Sequence, residues 1–432
     1  MEDKYSCFLF FSEEKPHILL SRLCNLFNNY YLCRQLEVKN MEAFYRTHHY
    51  LVEHTDAPIR RGLMDEIDWN DRLICIKGTR GVGKTTFLLQ YAKEKFGTDR
   101  SCLYLNMNNL YFTTHRLADF AAEFVKDGGR VLLIDQVFKY AEWSHEMREC
   151  HDKFPELKIV FTGSSVMQLK EENPELNGIT KIYYLRGLSF REFLNLKSGH
   201  DFPAYTLDEI LTNHREIALN VLKKVRPMDF FQDYLHHGFY PFYLEKRNFS
   251  ENLLKTMNMM IEVDILLIKQ IEQKYLSKIK KLLYLLAVDR PGAPNVSQLA
   301  TEIQTSRATV MNYIKYLADA RLINMVYPKG EEFPKKPAKL MMHNSNLMYA
   351  IYPVKVNEQD VLDTFFMNTM YKDHSLYMGD KGSSFLVNEG LRFRVCTEKC
   401  KFKNNPEVYY AMHRKELGED NLIPLWLFGF LY

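Results

Sequence analysis

Apolar residues follow two patterns along this chain. Short unbroken runs occur at Leu73-Ile74-Cys75-Ile76, Cys102-Leu103-Tyr104-Leu105, Val131-Leu132-Leu133-Ile134, Ile159-Val160-Phe161 and from Lys181 to Leu185. Runs of this length and continuity predict strands buried on both faces. Between them, apolar residues return at helical spacing over Thr86 to Ala92 and over Leu117 to Val125, the second closed by Gly128-Gly129. Strands alternating with helices predict an α/β domain on a doubly wound parallel sheet. From Asp208 to Lys281 the pattern turns helical and amphipathic. Ile279 to Val288, Gln298 to Ile303 and Arg307 to Ala320 then read as three helices. Ser297 is the expected cap of the second, and Thr305 or Ser306 of the third. Ile323 to Tyr327 and Leu340 to Met342 flank a hairpin carrying Lys329, Lys335, Lys336 and Lys339. Three helices and a two-stranded wing predict a winged helix.

One stretch adds chemistry to the pattern. Gly78-Thr79-Arg80-Gly81-Val82-Gly83-Lys84-Thr85-Thr86 lies between the first apolar run and the first helix. Strand, glycine loop, Lys-Thr and helix is the order a P-loop requires. Its glycines let backbone N–H groups turn inward around phosphate oxygens, and the helix N-terminus faces the same anion. Lys84 is expected to reach the β- and γ-phosphates of ATP, and Thr85 to hold Mg²⁺. Val131 to Asp135 has the Walker B form, an apolar strand ending in an acid, so Asp135 is the second expected Mg²⁺ residue. Gln136 follows it, where related ATPases often place a glutamate. An amide orients the attacking water but cannot accept its proton. Thr162 and Ser164, at the tip of the fourth strand, are candidates for contacting the γ-phosphate or the water; a serine-rich turn is the alternative.

Composition narrows the partners. A net charge of +3 over 432 residues excludes a strongly basic nucleic-acid coat and leaves room for a local basic patch. The eight cysteines are scattered, and only Cys396 and Cys400 are close, which favours reduced thiols in a cytoplasmic protein over a zinc site. No apolar run approaches the roughly 20 residues of a membrane span. Cys7 to Phe11 is apolar but flanked by acids, unlike a signal peptide. The folded protein is expected to begin at Met41. Residues 1–40 are read as an N-terminal extension, either an accessory segment with one amphipathic helix over His17 to Tyr31 or sequence upstream of the true start.

Gly78 to Thr86, Leu132-Leu133-Ile134-Asp135-Gln136, Trp143-Ser144, Leu157 to Ser165 and Leu188-Ser189-Phe190-Arg191-Glu192-Phe193 follow at a familiar spacing. Together they resemble the prokaryotic AAA-like ATPase family, whose members carry a P-loop domain, a winged helix and a C-terminal domain of unknown function. The resemblance runs from Met41 to Tyr432. It implies a P-loop core over 41–205, a helical lid over 206–276, a winged helix over 277–343 and a small α+β domain over 344–432. His237-Gly238-Phe239-Tyr240-Pro241 resembles the Gly-x-x-Pro turn such ATPases place near the nucleotide; a packing turn between helices is the other reading. Arg191 is the best cationic candidate for sensing the γ-phosphate, against a structural salt bridge. In the winged helix, Arg307, Asn312, Lys315 and the wing lysines would meet DNA, against use as a structural joint or protein-binding module.

The tail resembles the PD-(D/E)xK nuclease fold, in which Asp and Glu hold metal and Lys positions water. Aligned on Phe385-Leu386-Val387, Phe393 and Val395, the expected Asp, Glu and Lys fall at Ser384, Arg394 and Glu398. Only Asp363 and Asp380 remain nearby as substitute acids. Three functions follow: a slow Mg²⁺-dependent ATPase switch, an inactive nucleotide-binding paralogue, and an ATP-regulated nuclease, which the tail argues against.

Overall fold

The computed structural model describes residues 41–432 apart from 168, 170–172, 246–247, 381, 389 and 400–404. The helix expected over His17 to Tyr31 and the Cys396–Cys400 pairing therefore lie wholly or partly outside the described residues.

The predicted strands form as read: β1 (Leu73–Gly78), β2 (Cys102–Asn106), β3 (Val131–Asp135), β4 (Lys158–Ser164) and β5 (Lys181–Tyr184). They make one parallel sheet in the order β2-β3-β4-β1-β5. Alternate side chains feed two cores. Ile74, Ile76, Leu133 and Val160 pack with the helix Lys84–Lys95, while Cys75, Leu132, Ile134 and Phe161 pack with Leu117–Lys126 and Trp143–Lys153. β1 to β4 are apolar at both parities because each face is covered by helix, whereas β5, on the sheet edge, has no buried residue and exposes Lys181 and Tyr184. This is the doubly wound sheet of a P-loop NTPase. The helix over 41–54 joins it, with Phe44 and Tyr45 in one core and Val52 in the other.

The amphipathic stretch expected as a single lid divides between two cores. Helix Leu207–Leu222 buries Ile210, Ile217 and Val221 in a cluster with Phe366, Trp426 and Phe430 of the tail. Helix Phe249–Met259 and the π-helical turn Met260–Ile265 instead bury Leu253, Met257, Met260 and Ile265 against the three following helices. Each half settles where an apolar face is available to cover it.

Those helices are Leu276–Val288, Val296–Glu302 and Arg307–Asp319, followed by β6 (Ile323–Val326) paired antiparallel with β7 (Lys339–Met342). Ser306 caps the third, accepting from Thr309 N at 3.1 Å. The second is capped by Asn295, not Ser297, because the helix begins early enough to bury Val296. In the tail, helix Glu358–Met370 packs on a mixed sheet: β8 (Leu376–Met378), β9 (Phe385–Val387) and β10 (Leu391–Cys396) pair antiparallel, and β11 (Val408–Met412) and β12 (Leu422–Pro424) continue parallel. Among the described residues no helix is long and apolar enough to cross a membrane.

Candidate functional site

β1 lies between β4 and β5, so its tip opens where open α/β sheets bind ligands. The glycine loop follows directly. Gly81 at φ 86° and Gly83 at φ 93° adopt the left-handed backbone that permits the inward turn. The loop borders a cavity of about 460 Å³. Arg80 to Phe87, Asp135, Gln136 and Ser164 line it from the sheet domain; Pro241, Phe242 and Asp264 close it from beyond.

Lys84 folds back over the loop, donating to the carbonyl oxygens of Gly78 and Thr79 at 2.8 Å each. Burial lowers its pKa to about 8, against the opposing pull of Asp264 and Asp135. Asp135, at the end of β3, is 1% exposed and collects three hydroxyl donors. Thr85 Oγ1 and Tyr104 OH donate to Oδ2 at 2.7 and 2.9 Å, and Thr162 Oγ1 donates to Oδ1. Burial, and then the Asp135 charge, hold the Tyr104 phenol well above its ordinary pKa, so it stays a donor. The pairing of Thr85 with a buried carboxylate suits a hard cation with oxygen ligands, and the donor set fits Mg²⁺ bound with a phosphate chain.

Gln136 sits at φ 58°, ψ 45°. Its backbone N–H donates to Thr162 Oγ1 at 2.9 Å, which fixes the turn, and the residue borders the cavity. Thr162 itself is fully buried, its hydroxyl taken up by Asp135 and Gln136, so it does not face a phosphate as expected. Ser164 does line the cavity, and donates to Asp264 Oδ2 at 3.3 Å.

Arg191 is a correction. Its guanidinium donates to the backbone oxygens of Phe202 and Tyr432 at 3.0 Å, joining the sheet domain to the tail, and it is not among the cavity residues. A γ-phosphate sensor does not fit that position. The cavity cation the sequence reading missed is Arg61. It bonds Glu192 at 3.1 Å, Val82 O at 3.1 Å and the carbonyls of Arg186 and Gly187, bracing the glycine loop. Tyr104 carries no signal in the sequence beyond its place on a strand.

Asp264 was also missed. It is 4% exposed and pairs with Arg80 at 2.7 Å, across 184 residues of sequence. A signal was present: Met260, Ile261, Asp264 and Ile265 share one buried helical face, and only one of them is charged.

The Gly238-to-Pro241 turn does sit on the loop. A Cβ at Gly81 would meet the Phe242 ring at 3.0 Å, and one at Gly83 would meet Pro241 at 3.7 Å.

The other expected residues fall elsewhere. Arg307 and Asn312 are not buried on their helix, while Lys315 is held by Asp319, Lys335 by Glu331 and Lys339 by Asp363. In the tail, Ser384 Oγ accepts from Val395 N, Asp380 pairs with Arg392, Glu398 pairs with Arg414, and Asp363 is held by Lys339 and Gln359. Arg394 is half-buried on β10. Among the described residues no three His, Cys, Asp or Glu side chains gather as metal ligands.

Residues 70–194 match the family model of a AAA domain. With the sheet order and the loop geometry, this defines a AAA-type P-loop ATPase domain. Residues 228–358 match a domain of unknown function (DUF8612), which here spans the cavity-closing turn, Asp264 and the three-helix unit. The uncharacterized protein MJ1637 of Methanocaldococcus jannaschii is 29% identical over 293 residues, 64% of this chain and 61% of that protein. The chain thus spans about three fifths of the length of that curated relative. Among solved structures, a RuvB variant of Thermotoga maritima is 16% identical, covers 66% of this chain and 89% of its own, and has a TM-score of 0.26. The Aeropyrum pernix ORC1 protein in complex with DNA is 11% identical over 72% and 92%, with a TM-score of 0.28. Superpositions this loose carry no argument about the chain.

Proposed function

We propose that this chain is an ATP-driven switch: it binds Mg·ATP in the cavity, hydrolyses it slowly, and passes the state on through Asp264. The observation that carries the reading is the convergence of Lys84, Thr85, Asp135, Gln136 and Asp264 on one cavity of about 460 Å³, a volume suited to a nucleotide. In this reading Thr85 and Asp135 would hold Mg²⁺, which would supply neutralisation of the phosphate charge. Lys84 leaves the Gly78 and Thr79 carbonyls for the β- and γ-phosphates. Gln136 orients water, with no carboxylate to take its proton. The γ-phosphate competes with Asp264 for Arg80, because two anions brought that close together repel one another.

The three helices with the β6–β7 ribbon have the make-up of a winged helix, and we read it as a joint. Lys315, Lys335 and Lys339 are already paired with acids, which supports this over a DNA-binding face. The free buried thiols of Cys75, Cys102 and Cys150 support a cytoplasmic setting. Titration of labelled ATP into the wild type and a Lys84→Ala chain tests the core of the proposal. Affinity is expected to fall by at least about tenfold, the loss of one charge-assisted contact. Equal affinity would remove the P-loop assignment.

A further inference from the structure

A second cavity, also of about 460 Å³, lies behind the glycine loop, between β5, the ribbon unit and the tail. Its charges are unevenly matched. Lys372 is paired with Glu66 at 2.6 Å and lies 3.6 Å from Asp373. Arg186 and Arg321 line the same cavity, and neither forms an ion pair among the described residues. Arg186 donates to Asn368 O at 2.6 Å and lies over the Tyr432 ring, and its buried Nε has no hydrogen-bond partner among the described residues. The Ser165 hydroxyl, also in the lining, is buried with no partner among the described residues. Burial and the nearby Arg186 charge both weigh against the Arg321 cation. His343, between Asn324 and Asn368, is held neutral by burial and by the two arginines, and supplies no countercharge.

Two guanidiniums that repel one another in a partly closed cavity cost stability unless an anion joins them. Planar N–H forks with a hydroxyl donor beside them match a tetrahedral oxyanion. We propose that this cavity is a binding site for a phosphate-bearing small molecule, held by Arg186, Arg321 and Ser165. Its volume lies within the roughly 300–1,000 Å³ of small-molecule sites.

The site shares its wall with the first cavity. Gly78 and Thr79 line the second cavity, and their carbonyls receive Lys84 from the other side. Ser164 faces the first cavity and its neighbour Ser165 the second. The backbone oxygen of Arg186 accepts from Arg61, whose guanidinium also donates to Val82 of the loop. An anion drawn to Arg186 therefore acts on the loop through one arginine, which makes the bound molecule a regulator of the loop.

The test uses the full-length Lys84→Ala chain, in which phosphate binding at the first cavity is weakened, and Arg321, which lines only the second cavity, separates the two sites. Pyrophosphate, inorganic phosphate and AMP are titrated separately by calorimetry; their order of affinity shows whether a second phosphate or an organic group adds contacts. At least one is expected to bind. Adding Arg321→Gln is expected to weaken that ligand about 10- to 100-fold. Arg321 makes no side-chain hydrogen bond among the described residues, so the double variant should melt no lower than its parent without ligand, and gain less from ligand. Failure of all three to bind, or undiminished binding after Arg321→Gln, overturns the proposal.

Discussion

Lys84 ties the switch reading to a proton count. Without nucleotide its ammonium is buried against two carbonyls and has a pKa of about 8. A triphosphate beside it restores the charged form, returning its pKa toward or beyond the ordinary value of about 10.4. Near pH 8.5 the free protein carries about a quarter of a proton on this group and the complex nearly a whole one, so binding should take up about three quarters of a proton. Near pH 7 Lys84 is already about nine tenths protonated, and uptake should fall to about a tenth. Calorimetric titration of a non-hydrolysable Mg·ATP analogue in two buffers of different ionisation enthalpy measures the count directly. The analogue's own phosphates are fully ionised near pH 8.5 and do not contribute. A Lys84→Arg chain, titrated to saturation, should take up none, because arginine stays charged. Uptake no larger near pH 8.5 than near pH 7, or equal uptake in the arginine variant, would refute the reasoning. The same shift sets a stability slope. The folded pKa lies below the unfolded one, so between about pH 8 and pH 10.4 the unfolded chain binds more protons, and nucleotide-free stability should rise with pH there.

Two further perturbations probe the same cavity. Asp264→Asn keeps the shape and one acceptor but loses the charge on Arg80. Nucleotide-free stability should drop by about 1–2 kcal/mol, the difference between a charged and a neutral hydrogen bond, while ATP affinity should rise by about 5- to 30-fold. A chain that destabilises without binding tighter would show that Asp264 does not compete with phosphate. Gln136→Glu should raise basal ATP turnover at least about tenfold, since a positioned base is typically worth about 10²–10⁴ in rate. Both side chains have the same branching at Cβ, so the φ of 58° favours neither, and unchanged turnover would shift the limitation to a missing arginine or an unclosed cavity.

What could be read in advance was local. The five strands, the glycine loop, Asp135 and the Ser306 cap each depend on neighbours in sequence, and each stands where its pattern placed it. Apart from the cap expected at Ser297 and found at Asn295, the misreadings involve distance along the chain. Arg191 looked available because its partners, Phe202 and Tyr432, are brought to it only by the packing of the tail. Thr162 looked like a phosphate contact because a strand tip in sequence does not reveal which neighbour takes its hydroxyl. The single lid divided because helical amphipathicity fixes which face is buried, and nothing in the period says against what. Asp264 was the recoverable miss, a carboxylate on an otherwise apolar face, which requires a partner wherever it is buried.

The proposed switch has a direction that its contacts define. Phosphate entry disturbs Arg80–Asp264 and the fit of Gly81 against Phe242, and both routes lead to one unit. Asp264 lies in the turn Met260–Ile265, which packs in the core of the three helices. Phe242 follows the Gly238-to-Pro241 turn, and that turn is clamped from behind the ribbon: Phe239 N donates to Asn346 Oδ1 at 2.9 Å, while Asn346 and Ser345 donate to Leu235 O, a carbonyl of the π-helical turn. The tail is fixed differently. Arg191 to Tyr432, Arg186 to Asn368 and Lys372 to Glu66 bind it to the sheet domain through residues that do not line the first cavity. In the proposed switch the sheet domain and tail are the fixed body and the segment from Phe239 to Ile351 is the part that responds, working against Lys339–Asp363 and Asn368–His343, which also hold it to the tail. The second cavity lies on the seam between the two, with Arg186 on the stationary side and Arg321 on the moving one. An oxyanion that bridges them would lock the seam, which is where a regulator of such a switch has the most effect.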